Sequence, residues 1–238
     1  MHQDLHTLIN TDDVLISTSI TNIDDVERVI ISFTGIGHAM GGIDVQKVEF
    51  AGFSLRQSGV GFITITDKKR SWGNNLDVGA LVKLVRDLAG DRPIHLIGNS
   101  MGGFLAILFS GGLKARSTLA FAAQFSVLHD IMPDEHRWDR YVRSIRQWRY
   151  PSLDGMFDKD CVYQMVHGSH ASEKRHWSRM SRGPNIHHFV VAQSGHNVAS
   201  RLKEVGVLDQ IVNAGVRGDM NASLFERVGV DLIDPSDI

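Results

Sequence analysis

Pro93-Ile-His-Leu-Ile-Gly-Asn-Ser-Met-Gly-Gly-Phe104 decides how the rest of the chain is read. Ile94, Leu96 and Ile97 form a short apolar run of strand type, and Phe104-Leu-Ala-Ile-Leu-Phe109 opens a helical one. Between them stands Gly98-Asn-Ser-Met-Gly102. A serine on so tight a strand-to-helix turn takes strained backbone angles, and its neighbours two before and two after must lack side chains. Such a turn lifts the Ser100 hydroxyl above the sheet edge. It also aims the first N–H groups of the helix at whatever approaches that hydroxyl.

Outward from this stretch, strands and helical runs alternate. Residues 14–20, 26–33, 61–66, 118–123, 161–166 and 186–191 read as strands, several of them β-branched enough for burial on both faces. Residues 76–88 have helical spacing, with Asn75 or Asp77 as the cap. Residues 198–211 read as a helix broken near Gly206, and 224–233 as a last short helix. Residues 50–56 form a short helix or turn, and residues 1–12 are a polar, weakly ordered lead-in. This order predicts an α/β fold: a mainly parallel central sheet flanked by helices, with right-handed crossovers. The expected organisation is a single domain over residues 1–238, with a lid-like helical insertion at about 127–160, where the composition turns polar, charged and aromatic.

Bulk properties exclude several function classes. A net charge of −2 carries no basic excess that would point to nucleic acid or a membrane surface. No apolar run approaches the ~18–20 residues of a membrane span. The N-terminus lacks the basic and apolar regions of a secretory signal. A single cysteine, Cys161, excludes an internal disulfide and fits a reducing compartment. The expected location is cytoplasmic.

The chain resembles the α/β-hydrolase superfamily, and in particular its serine esterases. Three matches carry the resemblance: the nucleophile elbow at Ser100, a strand ending in His167-Gly168 followed by a polar loop, and His196 in Ser-Gly-His-Asn after the last strand. The order serine, acid, histidine is the superfamily's, and the match spans about residues 26–212. The resemblance implies Ser100 as nucleophile and His196 as the base that takes its proton. His95, His187 and His188 lie inside strands, whereas His196 lies past a strand's carboxyl end, where substrate crevices form.

The acid departs from the usual pattern. The loop Gly168-Ser-His-Ala-Ser-Glu-Lys-Arg-His176 holds no Asp, so Glu173 is the candidate, against a solvated surface role beside Lys174 and Arg175. Asp130, Asp158 and Asp160 are the rivals, the last two expected at the wrong end of the sheet. The resemblance places the oxyanion donors at the N–H groups of Met101 and of Ile36 or Gly35. Thr34-Gly35 stands where the superfamily often has His-Gly, while Gly37, Gly41 and Gly42 allow close approach to a substrate. His38 borders the pocket without an assigned role.

Other chemistries fit less well. Thr34-Gly-Ile-Gly-His-Ala-Met-Gly41 resembles a dinucleotide turn, with Glu49 as a loose acidic partner. The full fingerprint is missing, and none of Tyr141, Tyr150 and Tyr163 has a lysine four residues on. His167, His170 and His176 mimic metal spacing without a cysteine partner. In the insertion, Trp138, Tyr141, Ile145 and Trp148 share a helical face. Arg137, Arg140, Arg143, Arg146 and Arg149 recur every three residues and drift around the helix, which favours solvated arginines. The sharper alternative has Arg140 and Arg143 binding an anionic acyl donor or saccharide. Trp72 is a candidate crevice wall.

The expectation is therefore a serine hydrolase of carboxylic esters, acting on a small-molecule ester or acyl substrate through an acyl-enzyme. It needs no metal or organic cofactor and has no nucleic-acid or membrane partner. Acyl transfer, lyase chemistry and an accessory binding role remain the alternatives.

Overall fold

The computed structural model describes residues 4–37 and 46–233. In chain order the elements are β1 (His6–Asn10), β2 (Val14–Thr18), β3 (Arg28–Phe33), α1 (Ala51–Ser54), β4 (Val60–Asp67), α2 (Val78–Ala89), β5 (Ile94–Asn99) and α3 (Met101–Leu113). There follow β6 (Ser117–Phe121), α4 (Asp139–Val142), β7 (Val162–Gly168), α5 (Ala171–Trp177), β8 (Ile186–Val191), α6 (Val198–Glu204), α7 (Leu208–Arg217) and β9 (Val230–Ile233).

Among the described residues the strands form one sheet in the order β1-β2-β4-β3-β5-β6-β7-β8-β9. Pairs from β4 through β8 are parallel, and β1, β2 and β9 join antiparallel at the edges. Every residue of β4 and β6 is buried, which is why those strands read as nearly continuous apolar or β-branched runs. One face packs against α2, α3 and the segment 127–160. The other is covered by α6, α7 and the turn carrying Phe225. Helix α3 lies deep, with ten of its residues buried. The strand order reverses at β3, whose neighbours are β4 and β5. Connections leaving β3 and β5 therefore diverge and open a crevice at their carboxyl ends.

Local chemistry explains the boundaries. Asp77 caps α2 by accepting from the Ala80 N–H at 3.0 Å, and Leu81, Val85 and Ala89, four residues apart, form its buried stripe. Gly206, at φ 77°, separates α6 from α7.

Three segments differ from the sequence expectation. The lead-in contains β1, which gains its backbone bonds from β2 although its side chains are mostly exposed. The C-terminal segment is a short 3-10 turn followed by β9, because the free edge of β8 satisfies an extended backbone there. In the segment 127–160 the helix runs only from Asp139 to Val142. Farther on, Asn74 Oδ1 accepts the Arg149 and Tyr150 N–H groups at 2.7 and 2.9 Å. These tertiary bonds take donors that a continuing helix would need. Trp138 and Ile145 are still buried, and Tyr141 and Trp148 still pack on the core.

Candidate active site

The turn at Ser100 has the strain its sequence implies. Ser100 sits at φ 58°, ψ −122°, between β5 and α3. A side chain on Gly98 would collide with the Gly102 carbonyl, and one on Gly102 with the Phe33 carbonyl. Glycine at both positions is thus a packing requirement of the turn. The Ser100 N–H donates to the Phe121 carbonyl at 2.8 Å, tying the turn to β6. Met101 begins α3, so its N–H has no carbonyl one turn earlier to bond.

Three long-range partners meet at the serine. Ser100 Oγ lies 2.8 Å from His196 Nε2, and His196 Nδ1 lies 3.1 Å from Glu173 Oε2. An ionised Glu173 can only accept, so Nδ1 carries the imidazole proton and Nε2 is free to accept from Ser100. The third partner is Gln124, fully buried just after β6, whose Nε2 donates to Ser100 Oγ at 2.9 Å. Its orientation follows from Trp72, whose indole N–H donates to Gln124 Oε1 at 3.2 Å. The chain Trp72–Gln124–Ser100 thus sets the position of the hydroxyl. Trp72 is fully buried and does not line the crevice. Its loop is built around buried Asp67, which accepts from Ser71 N, Ser71 Oγ and Gly73 N at 2.8, 2.8 and 3.1 Å.

Glu173 lies on α5, in place of the expected loop. Helical spacing puts Glu173 and His176 on one face, and both are buried. Arg137 Nη1 donates to the second oxygen of Glu173. Arg137 also binds Glu135, with Nε 2.9 Å from Oε1 and 3.0 Å from Oε2. His176 accepts the Phe125 N–H at Nδ1 (3.2 Å) and so donates from Nε2 to Glu135 Oε2 (2.8 Å). Burial by itself would raise the Glu173 pKa. The hydrogen bond from His196, then the charges of His196 and Arg137, outweigh it and hold the carboxyl below its usual range. The same contest ends well below the ordinary value for Glu135, where the His176 and Arg137 bonds overcome burial.

Trp138 follows directly in sequence. Its ring centroid is 5.2 Å from that of His196, and it lines a cavity of about 200 Å³ with Gly35, Ile36, Glu49 and Asn99 beside Ser100. Arg70 holds the loop on the other side by donating to the Ile36 carbonyl at 3.1 Å. Buried Glu49 has its pKa displaced in the opposite direction to Glu173 and Glu135. Burial pushes its pKa up to about 8, only partly offset by a hydrogen bond from the Gly35 backbone. A second cavity of about 400 Å³ shares Glu49, Asn99, Ala199 and Ser200 with the first and extends to Phe50, Phe53 and Lys203.

The remaining candidates lie elsewhere. Arg140 is exposed, its guanidinium 5.9 Å from the Tyr141 ring centroid, and Arg143 is 79% exposed and 3.4 Å from Asp139. Neither lines the crevice. Asp158 and Asp160 line a separate groove of about 650 Å³ with Pro93 and Arg116, at the opposite end of β5 and β6. Asp130 is exposed. His167 Nε2 pairs with His188 Nδ1 at 3.0 Å, and His188 Nε2 donates to the Ser181 carbonyl at 3.2 Å. His167 and His176 therefore have separate partners. His38, Gly41 and Gly42 lie outside the described residues.

Gln124, Glu135 and the contacts of Arg137 were not legible as site residues. The available signals were a polar residue directly after a buried strand and a Glu-x-Arg pair beside an aromatic.

No family model and no curated protein sequence matches the chain. Solved structures do. The capsule O-acetyltransferase of Neisseria meningitidis serogroup A aligns at a TM-score of 0.58 and 15% identity, over 84% of this chain and 93% of that one. An alpha-beta serine hydrolase homologue from Coxiella burnetii aligns at 0.52 and 12%, over 88% and 97%. A glycosylation-associated protein complex (Gap123) from Streptococcus agalactiae aligns at 0.55 and 12%, over 91% of this chain and 48% of that one. The chain has the α/β-hydrolase fold. Among the described residues, no helix is long and apolar enough to cross a membrane.

Proposed function

We propose that this chain is a serine-dependent acyl-transfer enzyme that hydrolyses carboxylic esters, with Ser100 as nucleophile, His196 as base and Glu173 as the orienting acid. The observation that carries the reading is the unbroken hydrogen-bonded chain from Ser100 Oγ through His196 to Glu173. As Ser100 Oγ attacks the carbonyl carbon, its proton passes to His196 Nε2, and Glu173 steadies the imidazolium. His196 then protonates the departing alkoxide. A water, activated by the same nitrogen, attacks the acyl-enzyme and frees the acid.

The N–H of Met101 and that of Ile36 are the oxyanion donors. Ile36 is preferred to Gly35 because the Gly35 backbone already bonds Glu49. The Arg70 bond to the Ile36 carbonyl fixes the orientation of that loop. Trp138 covers His196 and makes the segment 127–160 the lid over the site. Buried Gln124 holds the hydroxyl by its lone pair, leaving the Ser100 proton directed at His196. Arg140 and Arg143 act as exposed basic residues at the lid rather than as binders of an anionic substrate.

A second reading keeps the acyl-enzyme but delivers the acyl group to an acceptor hydroxyl. It is favoured by the O-acetyltransferase among the structures that share the fold. A cytoplasmic location is proposed with both, on the ground that the single cysteine, Cys161, is a free thiol, which fits a reducing compartment.

A fluorophosphonate probe tests the shared step. Labelling of wild type and none of Ser100→Ala is expected, and a folded wild type that resists the probe would refute both readings. Release of acid against transfer to added alcohols then separates hydrolase from transferase.

A further inference from the structure

We propose that His129, His136 and Asp139 form a site for a divalent transition-metal ion, which clamps the strip of chain carrying Arg137 and Trp138. Within that strip, Glu135 bonds His176, Arg137 bonds Glu173 and Trp138 packs on His196. The two residues left over, His136 and Asp139, turn outward to meet His129.

The donor geometry suits such an ion. His129 Nε2 is 2.8 Å from Asp139 Oδ1, and His136 Nδ1 is 3.6 Å from Asp139 Oδ2. All three donor groups lie within 4.8 Å of one another. Tetrahedral zinc with bonds of about 2.0–2.1 Å holds its donors roughly 3.4 Å apart. The two shorter separations bracket that value, and the side chains are exposed enough to rotate by the remainder. Asp139 already presents one oxygen to each imidazole, and the two rings stand edge to face with centroids 4.9 Å apart. Two imidazoles and a carboxylate are a zinc, nickel or copper ligand set rather than one for calcium or magnesium. The exposed side, with His136 65% accessible, leaves room for a water as fourth ligand. Arg143 is the competing cation, 3.4 Å from Asp139 Oδ2. It is mostly solvated, so a metal displaces it at little cost.

Binding ties residue 129 to residues 136 and 139, and so fixes the turn from which Arg137 and Trp138 reach the serine site. That consequence rests on the proposed role of the site, whereas the metal site does not.

The test is calorimetric titration of Zn²⁺ into the untagged full chain. One saturable site with a dissociation constant on the order of micromolar is expected. His129→Gln, His136→Gln and Asp139→Asn should each weaken it at least about tenfold. His187→Gln, at an exposed position of β8, should leave it unchanged. Ser100→Ala should bind zinc as wild type does, so a failure of the enzymatic reading leaves this result standing. Zinc should also slow backbone hydrogen exchange over residues 135–139 in wild type and not in His136→Gln. Absence of saturable binding below about 1 mM, or binding undiminished in the three variants, overturns the site. Exchange indifferent to zinc overturns the clamp.

Discussion

Arg137 and Glu173 form an ion pair in which the arginine takes one carboxylate oxygen and leaves the other to His196. Glu173 is 3% exposed and Arg137 is 30% exposed at the side chain, so the pair joins buried machinery to a surface segment. Arg137→Gln removes a positive charge that favours the deprotonated carboxylate. The Glu173 carboxyl should then hold its proton more tightly, and the acid limb of the pH–rate profile should move to higher pH. Turnover should fall roughly 10- to 100-fold, with Arg137→Lys recovering part of both effects. A purely structural role would lower the melting temperature and leave the profile where it was.

Glu173→Gln keeps the shape of the acid and removes its charge. On the proposed roles, loss of about 10³–10⁴ in kcat is expected from the mismatched imidazole tautomer, as known for serine triads. Asp130→Asn, at an exposed position, should be nearly silent in the same ester assay. The opposite pattern would move the acid to Asp130.

Gln124→Ala leaves the Trp72 indole N–H without its acceptor and the Ser100 hydroxyl without its donor. Stability should drop by about 1–3 kcal/mol, read from denaturant midpoints. Fluorophosphonate labelling should slow roughly tenfold, while S100A/Q124A should lose no further labelling beyond that of Ser100→Ala alone.

Glu49 gives a stability signature with a definite sign. Burial raises its carboxyl from 4.5 to about 8, so between those values the folded state binds more protons than the unfolded one. Stability from this residue is complete below pH 4.5 and is lost as pH rises through about 8. Its share is on the order of 5 kcal/mol. Glu49→Gln should flatten that decline in denaturation curves taken across the window. An unchanged slope would mean that Glu49 is ionised at neutral pH.

The cavity beside Ser100 holds about 200 Å³ and shares the lining residues Glu49, Asn99, Ala199 and Ser200 with a second of about 400 Å³. Ala199→Trp should close the junction. Hydrolysis of acetyl and propionyl esters should survive, and esters of eight carbons or more should lose about tenfold or more in kcat/KM. Equal loss on all chain lengths would place the acyl group elsewhere.

Much of the fold was legible because its signals are local. Apolar runs marked the buried parallel strands, Asn75 or Asp77 marked the start of α2, where Asp77 is the cap, and Gly206 marked the break between α6 and α7. The misread segments are those whose backbone partners lie far away. Strands β1 and β9 exist because an adjacent edge supplies hydrogen bonds, and neither has a side-chain pattern strong enough to announce it. In 127–160 the helix ends at Val142, and farther on the Arg149 and Tyr150 N–H groups are held by Asn74 across more than 70 residues of chain.

By itself the sequence determined the strained turn at Ser100, since Gly98 and Gly102 leave no room for side chains and the flanking strand and helix are encoded next to it. It also determined the order of serine, carboxylate and histidine along the chain. Tertiary structure alone decided which groups meet. His196 reaches Ser100 across 96 residues, Gln124 across 24, and Arg137 reaches Glu173 across 36. Sterics of a turn act over a few bonds and are written locally. Hydrogen bonds and charge pairs of this range depend on strand order and helix packing, which no short stretch of the chain contains.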